Sequence, residues 1–105
     1  MLPKRERLSA HEVREVLKRG RAARGALILM KIIPTSGSMR AAVVVPKSVA
    51  RGAVARNRLR RALYRTLSLL SSPPRGKIVF FVHKAPAPPL AAAFAEDTRA
   101  LLRKI

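Results

Sequence analysis

The 105-residue chain has no cysteine, no tryptophan and very little negative charge. Without cysteine there is neither a disulfide to staple the fold nor a thiolate to hold a metal, and the chain reads as cytoplasmic. Aromatic residues make up 4% of the sequence, Tyr64, Phe80, Phe81 and Phe94. That is sparse for the exposed aromatic platform on which many proteins stack single-stranded RNA. Phe80 and Phe81 point to opposite faces of one strand, and core packing is the expected use of both. No apolar run approaches the roughly 18 residues of a spanning helix, since Ala26 to Pro34 is interrupted by Lys31. The start, with Lys4, Arg5 and Arg7 leading into a polar stretch, lacks a signal-peptide pattern. No membrane role is expected.

Acids are confined to the ends. Glu6, Glu12 and Glu15 lie near the start, Glu96 and Asp97 near the finish, and residues 16 to 95 contain none. Against 23 Lys and Arg this leaves a formal charge of +18. Such self-repulsion opposes a compact state and points to a polyanionic partner, nucleic acid first.

The positive charge is organised. Between Val45 and Arg65 stand seven basic residues and no acid. At about 100° per residue, Leu59, Ala62, Leu63, Thr66, Leu67 and Leu70 share one helical stripe. Arg56 and Arg60 flank it, while Asn57 and Arg61 oppose it, with Arg58 and Arg65 beyond. A solvated helix face usually alternates sign and gains from i,i+4 pairs. Here Arg56 and Arg60 repel, and Asn57 with Arg61 has a neutral member. Arginine also suits bidentate phosphate contact. Asn57 can bond a base or sugar, or brace a neighbouring arginine.

Other elements follow from pattern. Ser9 with Glu12 forms a capping box ahead of Val13, Val16 and Leu17, and Gly20 stops that helix. Arg21 to Gly25 read as a basic linker. Ala26 to Ile33 and Arg40 to Val45 read as strands around the turn Thr35-Ser36-Gly37-Ser38, an antiparallel hairpin. A long helix from about Ala53 to Leu70 ends before Pro73-Pro74. Lys77 to His83 is the strongest strand, and a last helix runs from about Leu90 to Lys104. The expected fold is α+β, in α-β-β-α-β-α order: a small mixed sheet packed by helices, one domain over 1–105, with 1–8 a loosely ordered basic tail.

The chain is poorly equipped for chemistry of its own. Glu96 and Asp97 diverge by about 100° on a helix and form no two-metal site. His11 and His83 lack acidic partners on a shared face, and Ser9 and Ser48 lack an activating base. Catalytic residues are expected to be none, and protein-held metal none.

Lys47 through Arg65, centred on Arg56-Asn57-Arg58-Leu59-Arg60-Arg61, resembles the RNR motif of the protein subunit of bacterial ribonuclease P. Val13-x-x-Val16-Leu17-x-x-Gly20 looks like that family's first helix, Val43-Val44-Val45-Pro46-Lys47 like its strand into the basic loop, and Ile78 to Ala85 like its last strand. The resemblance implies an endoribonuclease holoenzyme in which a catalytic RNA binds magnesium and cleaves precursor tRNA, while the protein grips RNA and the 5′ leader. It also implies a left-handed βαβ crossover, against the usual hand, and no required protein partner. Lys47, Arg51, Arg56, Asn57, Arg58, Arg60, Arg61 and Arg65 are thereby assigned to RNA contact; Val13, Val16, Leu17 and Lys31 are assigned to the leader. Val13 and Leu17 stand where phenylalanines are common, and Ser48 replaces a frequent second lysine. Two other readings share the electrostatics. A ribosomal or ribosome-associated RNA-binding protein would leave tRNA maturation untouched. A DNA-binding module would want a dimerising or helix-turn-helix partner that the sequence does not display.

Overall fold

The structure, a computed structural model, describes residues 3–104; Met1 and Leu2 of the basic tail lie outside them. A 3-10 turn at Lys4–Glu6 precedes α1 (Ala10–Arg19), β1 (Arg21–Arg24), β2 (Ile28–Pro34), β3 (Arg40–Val44), α2 (Ala53–Ser68), β4 (Gly76–Val82) and α3 (Leu90–Leu102). The capping box forms as expected: Ser9 Oγ accepts from the Glu12 amide at 3.2 Å and Glu12 Oε1 from the Ser9 amide at 3.0 Å.

The sheet order is β1-β2-β4-β3. This corrects the expected hairpin, because β2 and β3 do not pair; both flank β4, β2 antiparallel and β3 parallel. The reason lies in β4, the most apolar strand: Val79 and Phe80 are fully buried on opposite faces, which only a central position provides. A second correction concerns Arg21 to Gly25, which is not a linker. Arg21–Arg24 pair antiparallel with Leu29–Ile32 as β1. Its exposed pattern carries no alternation for sequence reading to find. β3, α2 and β4 together make the βαβ unit, and the fold is a single-domain α+β sandwich.

The two sheet faces are used differently. One carries Ile28, Met30, Ile32, Ala41, Val43, Ile78, Phe80 and Val82, all buried in one core with Leu59, Leu63 and Leu67 of α2 and Phe94 and Leu101 of α3. On the other, α1 buries Val16 against the sheet but covers only part of it. The β3 edge is protected at two points. Tyr64 Oη accepts from the Val43 amide of β3 at 3.1 Å, and the Leu8 amide donates to the Ala41 carbonyl at 3.1 Å. Free strand edges invite pairing with other chains.

Asp97 holds β1 and β2 together from α3. Its carboxylate accepts from the amides of Ala26, Leu27 and Ile28 at 2.8, 3.1 and 2.9 Å. A Cβ at Gly25 would meet that carboxylate at 2.6 Å, so only glycine lets the turn approach. His83 Nε2 lies 2.9 Å from the Gly25 carbonyl oxygen, and Lys104 Nζ donates to the Arg24 carbonyl at 2.7 Å.

Candidate nucleic-acid interface

α2 is held by burial of Leu59, Leu63, Tyr64, Thr66 and Leu67, with Ala62 and Leu70 half-buried beside them. Tyr64 was not part of the expected stripe; its ring is drawn in by the hydroxyl's bond to β3. The opposite side of the helix presents Asn57, Arg58, Arg61 and Arg65 to solvent. Its N-cap, Gly52, supplies no side-chain cap.

The RNR residues divide into two groups. Arg56 Nη1 donates to the carbonyls of Ala50 and Arg51 at 3.1 and 2.6 Å, which ties the preceding loop to the first turn of α2. Arg60 Nη1 donates to Asn57 Oδ1 at 2.7 Å. Asn57 thus braces an arginine, one of its two expected uses. Arg58, Arg61 and Arg65, with Lys47 and Arg51 on the loop, are exposed and make no side-chain hydrogen bond or ion pair among the described residues. Their donors are free for a ligand. Arg61 and Arg65, four apart, share the repulsion seen for Arg56 and Arg60.

Three of the five acids are spent elsewhere. Arg40 forks onto Glu12, with Nη2 to Oε1 at 2.8 Å and a second, shorter contact from Nη1 to Oε2. The same guanidinium donates to the Arg5 and Arg7 carbonyls. Lys77 Nζ donates to Glu15 Oε1 at 2.9 Å and lies 3.7 Å from Glu12 Oε2. Hydrogen bonds from Arg40 and then from the Ser9 amide hold the Glu12 carboxyl down at about 2. Glu15 is lowered, and Lys77 raised, by their mutual hydrogen bond. No three His, Cys, Asp or Glu side chains gather as a metal site among the described residues. Asp97 is likewise committed, to the β1–β2 turn; His11 is exposed on α1.

The second candidate region is the cleft beside α1. Strand register lines up three rows on that face: Ile33–Lys77–Arg40, Lys31–Val79–Ala42 and Leu29–Phe81–Val44. α1 crosses the first two through its ion pairs and through Lys31 Nζ, which donates to the Leu17 carbonyl at 2.9 Å. The third row stays half-exposed, at the end of the sheet from which the Pro46–Gly52 loop leaves β3. Val13 and Leu17 of α1 are half-exposed. Val16 does not belong with them: at 0% exposure it is core, because α1 packs onto β4 and β2. Phe81, by contrast, was not singled out for the leader. Its neighbour Phe80 faces the other side of the strand and is fully buried, while Phe81, expected to pack in the core, is half-exposed on the face that α1 covers only in part.

Comparison with known proteins agrees with this architecture. The family model described as Ribonuclease P matches residues 2–105. No curated protein matches the chain. A mutant of the Staphylococcus aureus RNase P protein with defective mRNA degradation activity superposes with a TM-score of 0.82 at 16% identity, over 96% of this chain and 88% of that one. The RNase P protein of Thermotoga maritima gives 0.73 at 20% identity, over 95% and 97%.

Proposed function

Because the chain belongs to the ribonuclease P family, we propose that it serves as the protein component that binds the catalytic RNA through α2 and the 5′ leader of precursor tRNA through the α1 cleft. One observation carries the reading: five cations on and before α2 lack any internal counter-charge, while Glu12, Glu15 and Asp97 are consumed in holding the fold. Phosphates are the partner that geometry and charge both ask for.

Arg58, Arg61, Arg65, Lys47 and Arg51 contact RNA directly in this reading. Arg56, Asn57 and Arg60 shape the surface that presents them. In the cleft, Phe81 supplies the stacking surface that Val13 and Leu17 lack, with Leu29 and Val44 at its sides. Lys31 acts by holding the end of α1 against the sheet. Magnesium does not fit the protein's own donors, since three of its five acids are engaged in ion pairs or amide bonds. The ion belongs to the RNA, which performs the hydrolysis of the leader in the cytoplasm. The protein lowers the metal requirement by neutralising phosphates that otherwise repel the substrate.

The test is reconstitution. Added to its cognate catalytic RNA, the protein should lower the magnesium concentration needed for precursor-tRNA cleavage; alone it should cleave nothing. An unchanged magnesium requirement overturns the proposal, and binding confined to ribosomal RNA would support the ribosomal reading instead.

A further inference from the structure

At the start of α2 the arginines adjoin a cleft of about 590 Å³ that has apolar walls. Val49 and Ala50 of the β3–α2 loop, Ala55 and Leu59 of α2, Ala85 and Pro88 of the β4–α3 loop and Leu90 at the start of α3 line it. No carboxylate, amide or hydroxyl side chain lines it, and Arg58 is the one charged residue at its wall. Nearby Val54 is 74% exposed. The wall is held in place: Arg56, bonded to the Ala50 and Arg51 carbonyls, fixes the loop that carries Val49.

We propose that this cleft seats one unpaired nucleobase of the RNA whose phosphates lie on α2. This rests on the reading that α2 engages RNA. Charge complementarity selects the occupant. Arg51 and Lys84 adjoin the wall residues Ala50 and Ala85 in the chain, and Arg61 continues the cationic surface along the helix, so whatever enters is attached to an anion. Apolar walls bordered by arginine fit a flat body with little hydrogen-bonding demand inside the cleft. A base meets this description, for its faces are apolar and the phosphate it carries would meet the cations around the cleft. With no side-chain amide or hydroxyl to read base edges, the cleft tolerates all four bases. It favours RNA segments with an extruded nucleotide over continuous helices, and so selects shape.

The full-length protein is titrated at low salt with pentaadenylate and with an abasic ribose-phosphate pentamer of equal charge, followed by amide NMR. The amides of Val49, Ala50, Ala55 and Leu90 should shift with pentaadenylate and stay still with the abasic pentamer. Ala55→Phe adds a ring at an exposed helical position and fills the cleft. It should weaken pentaadenylate about threefold to tenfold while the abasic affinity holds. Equal shifts from both pentamers, or the same amides answering only to an apolar proline-containing peptide, overturn the assignment. Failure of the proposed function shows differently, as a protein that neither binds nor assists catalytic RNA while the base-dependent shifts remain.

Discussion

At the scale of single residues, the same side chain does opposite work according to what surrounds it. Arg58 and Arg61 point to water, whereas Arg56 turns back onto two carbonyls. Arg58→Ala and Arg61→Ala should each weaken catalytic-RNA binding and reduce the slope of log affinity against log salt by roughly one unit, read from filter binding across a salt series. Arg56→Ala should instead speed amide exchange at residues 49–51, because it frees the loop. Asp97 is the counterpart among acids. Asp97→Ala leaves three amides of the β1–β2 turn without their acceptor, at about 1–3 kcal/mol for each group left buried and unpaired. A fall in Tm of about 10–20 °C is expected by thermal melting. Little of this is legible beforehand: adjacency of Glu96 and Asp97 says that they diverge, and not that one of them meets a turn some seventy residues away in the chain.

At the scale of elements, α1 is fastened by charge at one end and by Lys31 at the other. The Glu12 carboxyl sits at about 2 against an ordinary value of 4.5. A depressed carboxylate contributes stability that is complete above the ordinary value and lost as pH falls through the lowered one. Melting temperatures of the native protein and Glu12→Gln should therefore differ by several degrees at pH 7. The gap should hold down to about pH 5 and close between about pH 4.5 and 2. A gap that persists at pH 2 would place the stabilisation elsewhere. The helices were readable because caps, stops and a 3.6-residue stripe are local. β1 was not, since an exposed four-residue strand, Arg21–Arg24, has no periodicity, and its pairing depends on Asp97, His83 and Lys104 closing the turn.

For the whole molecule, +18 of formal charge coexists with a radius of gyration of 12.6 Å, close to the roughly 13 Å of an ordinary 100-residue domain. The repulsion is thus borne by a compact fold, and screening should relieve it. Raising sodium chloride from 50 to 500 mM is expected to raise the Tm of the free protein while it weakens RNA binding, opposite responses from one cause, checked by melting and binding on the same sample. A Tm that falls with salt would mean that the internal ion pairs outweigh the global field. From the chain alone came the excess of positive charge and the arginine face of α2, because charge balance and helical periodicity are carried by neighbours in sequence. Strand order, the open Leu29–Phe81–Val44 row and the division of arginines into presenting and bracing groups were decided only by tertiary structure. The central place of β4 separates β2 from β3, and its two pairings, with segments far apart in the chain, set which face each side chain meets.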